Sequence, residues 1–295
     1  MFEKGSILAG LARYAMRGAW APLLGVCLFV GGGPAAAQAP PAGPGGPSGS
    51  PELGIAPPGF FDQPPLPPGA PMPGKSPQDL AGTWYHADPW ELDLKLTMYG
   101  KPLPFTAKGK AISDRRHASK AAGRPIASAG TTCRPVGQAW ALELNSPWSI
   151  LKSKNALNFV FMEFHSVWVV RMNQPHRTDG KRTYMGDSVG HWEGDTLVVD
   201  TTLFSKSHWI DTGGAPLSKN AHLIHRMRKT HENNRWALEV KMTIDDPEMY
   251  TEQWSLAREY LWRPEKAVFA EYNCEMQTGL PDAIANYGAV EEEED

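Results

Sequence analysis

A mainly β fold, an antiparallel β-barrel with one flanking α-helix, follows from three features of this 295-residue chain. Most of the second half runs as short segments in which apolar and polar residues alternate, the period of a half-buried strand. Short turns separate many of those segments, which favours antiparallel neighbours. No β-α-β alternation appears, so doubly wound and TIM-barrel architectures are excluded.

The ends of the chain stand apart by composition. Lys4, Arg13 and Arg17 form a positive n-region, Ala19 to Val30 an apolar core, and Ala35-Ala36-Ala37 a small-residue cleavage site. Residues 1–37 therefore read as a signal peptide, and the mature protein as periplasmic or secreted. The apolar run is too short to span a bilayer, so no membrane span is expected after cleavage. Cys27 follows Val26, where a lipoprotein signal needs a small residue, which disfavours a lipid anchor. Residues 38–77 hold fourteen of the chain's 27 prolines and read as a disordered linker. Glu291 to Asp295 is an acidic tail, which leaves 78–290 as the barrel domain.

Charge and cysteine content narrow the partners. Without the signal the chain carries 31 acids against 26 bases, or −5, and the five acids of the tail account for that excess. No basic stripe remains to neutralise phosphates, so nucleic acid is not an expected partner. Cys133 and Cys274 are left as a pair, and in an oxidising compartment a disulfide between them is expected.

The elements follow in chain order. Leu80 to Tyr85 begins the domain, and Gly82-Thr83-Trp84 resembles the G-x-W opening of lipocalin-like barrels, whose Trp plugs the floor. The barrel is therefore expected to be lipocalin-like in outline. Phe105 to Ala122 predicts one helix, ended by Gly123 and Pro125, with Lys108, Lys110, Arg115, Arg116 and Lys120 as a solvated face. Ala129 to Lys154 reads as a long loop wrapping the barrel. Strands are predicted over Asn155–Phe164 and Ser166–Met172, then in a hairpin over His191–Phe204 that turns at Glu193-Gly194-Asp195. In it Leu197, Val199 and Thr201 share one face, and Thr196, Val198, Asp200 and Thr202 the other. A second hairpin joins His222–Thr230 to Arg235–Ile244 through Glu232-Asn233-Asn234. Its return strand has the cleanest period, with Trp236, Leu238, Val240, Met242 and Ile244 inward and Ala237, Glu239, Lys241 and Thr243 outward. Thr251–Arg263 and Ala267–Glu275 complete the strands.

Few patterns carry chemistry. His222 and His225 lie three apart, so on a strand they face opposite ways and cannot share a metal. No metal and no cofactor is expected. Gly186-Asp187-Ser188-Val189-Gly190 matches the bare G-x-S-x-G pattern, yet a strand and turn follow it where a nucleophile elbow needs a helix. Ser207 to Pro216 packs His208, Trp209 and Asp211 into one loop, where His and Asp form an acid–base pair or Asp211 caps a turn. Asp245-Asp246-Pro247 reads as a turn. Ten tryptophans remain after cleavage, and aromatic faces stack on rings and sugars. The candidate acid–base residues are Asp200, His208, Asp211 and His222, and the candidate ligand contacts are Trp192, His191, Trp209, Asp200 and His222. Asp200 and His222 are expected to point into the barrel cavity, with at least one of His208 and Asp211 facing the same pocket.

The run Gly190-His191-Trp192-Glu193-Gly194-Asp195-Thr196-Leu197-Val198-Val199-Asp200-Thr201 resembles a family of secreted bacterial proteins of unknown function. The resemblance extends over most of Leu80 to Glu275. It includes Trp209-Ile210-Asp211, Ala221-His222-Leu223-Ile224, Thr243 to Pro247 with Tyr250-Thr251, and Tyr272-Asn273-Cys274-Glu275. This chain departs from similar sequences at Leu217, where they carry histidine, and at His225, where they carry an acid. The leading expectation is an exported barrel that binds a small lipid, aromatic or sugar derivative in its mouth. The alternative is a cofactor-free periplasmic lyase, isomerase or hydrolase using His/Asp acid–base chemistry. A tethered structural envelope protein is the non-catalytic third.

Overall fold

A computed structural model of the chain describes residues 66–87, 93–123, 125–205, 208–232, 235–267 and 272. The wall strands are β1 (Gly82–His86), β2 (Trp148–Lys152), β3 (Ala156–Phe161), β4 (Val167–Met172), β5 (Asp187–Glu193) and β6 (Thr196–Thr202). After a small ribbon of β7 (His208–Trp209) and β8 (Pro216–Leu217) come β9 (His222–Glu232), β10 (Arg235–Asp245) and β11 (Trp254–Trp262). The nine wall strands close a barrel in the order β1-β11-β10-β9-β6-β5-β4-β3-β2.

The expected all-antiparallel wall is corrected at one seam. β4 and β5 run parallel, Val170 to Met172 against Ser188 to Gly190. Between them residues 173–186 cross over the outside of the wall, because parallel neighbours cannot be joined by a tight turn. Asn173, at φ 53°, starts the crossover, and its N–H donates to the Gly190 carbonyl at 2.7 Å. Gly186, at φ 70°, ends it, where a Cβ would meet the Thr202 carbonyl at 2.7 Å.

Among the described residues two α-helices are present where one was expected. The predicted helix is α1 (Ala107–Ala121), capped by the Thr106 hydroxyl, which accepts from the Gly109 N–H at 3.0 Å. The second, α2 (Gln138–Glu143), lies with strand β2 in the segment expected to be a loop, and every residue of α2 is buried. A helix covered on all sides has no polar face and so no amphipathic period to betray it. It packs on inward side chains of the wall. The Leu142 carbonyl accepts from Tyr260 Oη at 3.0 Å and meets His86 Nε2 at 2.6 Å. The interior is therefore filled by Trp84, Trp148, Phe159, Trp168, Tyr260 and α2, not left as an open cup.

Lys229 points inward on β9, and its ammonium donates to the carbonyls of Gly74, Ser76 and Asp79. Trp262 Nε1 donates to the Pro71 carbonyl at 2.9 Å. The last part of the expected linker is thus seated on the barrel, since a buried ammonium needs acceptors. Cys133 is not free, and Cys274, its expected partner, lies outside the described residues, as does most of the strand expected over 267–275.

The period-2 reading of β10 holds. Leu238, Val240, Met242 and Ile244 are buried within, Trp236 packs against the same core, and Glu239, Lys241 and Thr243 are half-buried on the outside. Ala237 is also buried, outside the wall, with Ala87 and Leu261. Met242→Asp is expected to cost about 4 kcal/mol or more, a buried carboxylate replacing core volume, and Lys241→Asp under about 1 kcal/mol. Urea unfolding of the two variants tests this register, and equal midpoints would refute it.

Candidate functional site

Strand alternation decides which groups meet on the outer wall. Leu197, Val199 and Thr201 of β6 are fully buried inside, so Asp200 between them points out. On β9 Leu223, His225 and Met227 face in and His222 faces out. The expectation that Asp200 and His222 point into the barrel cavity is therefore corrected. Asp187, opposite Thr202 in the β5–β6 register, joins them on the outside. The crossover then lays His176 and Arg177 on top.

The result is a continuous chain of hydrogen bonds. His222 Nε2 lies 2.9 Å from Asp200 Oδ2, and His176 Nε2 lies 2.9 Å from Asp200 Oδ1. His176 Nδ1 lies 2.8 Å from Asp187 Oδ2. Arg171 Nη2 donates to both oxygens of Asp187 at 2.8 and 2.9 Å and the Arg177 N–H donates to Oδ2 at 2.9 Å, while Arg177 Nε, 3.0 Å from Oδ1, adds an ion pair without hydrogen-bond geometry. A carboxylate oxygen accepts and does not donate, so both His176 bonds form together only while both ring nitrogens carry hydrogen.

The electrostatics follow from the partners. The hydrogen bond from His222 holds Asp200 below the usual carboxylate range, against a smaller opposing effect of burial and with His176 assisting. The same bond raises His222 above an ordinary histidine, again against burial. Burial works to raise Asp187, but the Arg177 N–H, His176 and Arg171 together outweigh it and hold it low. His222, His176 and Asp200 are each about a third exposed, so the chain is reachable from solvent.

A groove of about 300 Å³ adjoins the Asp187 end. Val167 and Val169 of β4 line one side and Met185 and Thr183 the other, with Arg171, Arg177 and Asp187 also on its lining. Ser188, the serine of Gly-Asp-Ser-Val-Gly, also borders the groove, but its hydroxyl is engaged on the inner side of the wall. Its Oγ accepts from Trp168 Nε1 at 2.6 Å and lies 2.8 Å from Thr201 Oγ1.

The other expected residues lie elsewhere. His208 is buried, its Nδ1 3.0 Å from the Ser205 carbonyl and its ring against Tyr184 and Phe204. Burial pushes it down to about 4, so it is a neutral packing group. Asp211 is fully buried and accepts from the N–H groups of Leu94 (2.5 Å), Gly214 (2.7 Å) and Ala215 (2.8 Å), which makes it the anchor of the β7–β8 turn. Trp209 stacks on Trp140 at 5.8 Å beneath the Arg116 guanidinium. His191 is exposed beside Glu193, and Trp192 packs against the core from the opposite face of β5. Of the expected set, only Asp200 and His222 meet.

His222 and His225 do face opposite sides of β9. Among the described residues no group of three His, Cys, Asp or Glu side chains converges for a metal. A Ser-His-Asp look-alike on α1 fails on geometry. His117 Nε2 is 3.1 Å from Asp93, but its Nδ1 lies 2.7 Å from the Ser113 carbonyl and only 3.4 Å from the hydroxyl. A nitrogen that donates to a carbonyl cannot take the serine proton. No family model, no curated protein and no solved structure matches this chain.

Proposed function

We propose that the protein is exported and binds a small molecule on the outer wall of its barrel, in the groove between β4 and residues 183–187, rather than in the barrel mouth. The observation that carries this reading is the pairing of a valine-lined groove with two guanidiniums, Arg171 and Arg177, that share one carboxylate, Asp187. Arg171 gives that carboxylate only Nη2, which leaves donors for a ligand. An apolar body with a carboxylate or similar acceptor at one end fits such a site, because small-molecule sites combine apolar lining with a few placed polar groups. Lipid and aromatic acids are of this kind. The chain from Asp187 to His222 supports the reading by pinning the crossover that forms the groove's second lip.

A second reading, acid–base catalysis without a cofactor, is favoured by one feature. Asp200 holds Nε2 of His222, while Nδ1 of the half-exposed ring has no protein partner among the described residues. That is how a carboxylate orients a general base.

Calorimetry with 4-methylpentanoate and phenylacetate, and with their neutral amides, tests the binding site. The acids are expected to bind, and Arg177→Gln to weaken them tenfold or more, about 1.4 kcal/mol. Trp209→Phe, on the β7–β8 ribbon, is expected to leave them unchanged. Equal binding by wild type and Arg177→Gln, or loss only in Trp209→Phe, would overturn the assignment.

A further inference from the structure

The seam between β4 and β5 spans three residues, whereas β4 pairs β3 over five, from Val167 to Arg171. Successive residues of a strand turn their backbone groups to opposite neighbours. The Phe161 N–H donates to the Ser166 carbonyl, and the Met172 N–H to that of Asn155. Ser166, Trp168, Val170 and Met172 therefore bond toward β3, and Val167, Val169 and Arg171 toward the seam. Arg171 meets β5 there. Val167 and Val169 turn N–H and C=O into the groove, with no strand beside them among the described residues. Their side chains are each 46% exposed. An open edge of this kind is normally covered, bulged or charged.

One end of that edge is closed by charge. Arg171 Nε and Nη1 and Arg177 Nη1 hold no protein partner among the described residues. The groups facing them are Asp187 from β5 and, behind it, His176 from the crossover. Two guanidiniums against one carboxylate leave positive charge for an incoming anion.

We propose that the Val167–Val169 edge takes an extended peptide that ends in a free carboxylate, added as a short parallel strand whose C-terminus meets Arg171 and Arg177. The inference rests on the reading of the groove as a ligand site and specifies its occupant. A parallel segment continues the direction of β5, lies upstream of Asp187 and brings its chain end to the cationic end of the edge. Main-chain hydrogen bonds to Val167 and Val169 supply the attachment, and the apolar lining receives alternate side chains. A groove of about 300 Å³ suits two or three residues of such a strand.

The test uses a fluorescein-labelled hexapeptide of alternating valine and threonine with a free C-terminal carboxylate, read by anisotropy on the intact mature protein. Three companions separate the contributions: the same peptide amidated, the same peptide N-methylated at alternate amides, and 4-methylpentanoate. The free acid is expected to bind, with amidation and one N-methyl phase each weakening it tenfold or more. Amide hydrogen exchange at Val167 and Val169 is expected to slow in the complex. If the N-methylated and parent peptides bind alike, or if only 4-methylpentanoate binds, the peptide is overturned while the small-acid reading of the groove stands. If none of the probes binds, both are overturned.

Discussion

Replacing Glu143 by alanine is expected to destabilise the protein by about 3–5 kcal/mol, the range for removing one partner of a buried ion pair. Arg258 sits on β11 opposite Val240 of β10, on the inward face of the wall. Its Nε and Nη2 lie 3.0 and 2.9 Å from Glu143 Oε2, and the Glu143 side chain is 4% exposed. This is the tie that seats α2 inside the barrel, reinforced by the bond from Tyr260 to the Leu142 carbonyl. Alanine at 143 leaves the largely buried Arg258 guanidinium without the Glu143 carboxylate. Removing both charges is a milder change, because an apolar pair of similar volume carries no desolvation cost. Glu143→Leu with Arg258→Met should therefore recover most of the loss in urea unfolding. A double variant no more stable than Glu143→Ala, or a single variant within about 1 kcal/mol of wild type, would show that the pair does not seat the helix.

Most of the wall strands were legible because their signal is local, β2 excepted, since Trp148–Lys152 lay within the segment read as a loop. β10 alternates cleanly over Leu238, Val240, Met242 and Ile244, and a side chain's face along a strand is decided by its immediate neighbours. α1 was legible for the same reason, from its run of helix formers and Gly123 beyond it. α2 was not, because the polar and apolar residues of Gln138 to Glu143 are buried alike and leave no solvent face to read. In β6 the two faces were separated correctly, but the face of Asp200 was expected inward and turns outward. Val198 on the outside is nearly as buried as Val199 within, so both sets look like core. The site was harder still. Asp200 and His222 were picked out for their chemistry, but His176, Asp187, Arg171 and Arg177 were missed. They converge only because the crossover returns in parallel over the wall, a long-range event without local pattern. The available signal was the connection itself, since fourteen residues between strands with Pro175-His176-Arg177 near its start exceed any hairpin loop.

Two buried histidines are expected to withdraw stability from this protein as the pH falls below 6.5, and the share of one of them can be measured alone. His225 is fully buried inside the barrel, 4.9 Å from the Trp168 ring, and neither ring nitrogen has a hydrogen-bond partner among the described residues. Burial alone pushes it down to about 3, and burial also takes His208 down to about 4, from an ordinary 6.5. Between those values and pH 6.5 the unfolded chain binds protons that the folded chain refuses, so stability falls as pH falls. At pH 5 each group lies 1.5 units below the unfolded value and withdraws about 2 kcal/mol, or about 4 kcal/mol together. His222 and His117 are raised in the fold and run the other way, which makes the total pH profile a poor test. The difference between wild type and His225→Phe isolates one residue, because phenylalanine keeps the ring and removes both unpaired nitrogens. The variant is expected to be more stable by about 1 kcal/mol at pH 8, where only the unsatisfied polar atoms count. At pH 5 the gap should widen by a further ~2 kcal/mol, since the variant has no proton to exclude. Urea unfolding at the two pH values measures both figures, and a gap that stays constant between them would show that His225 titrates freely in the folded barrel.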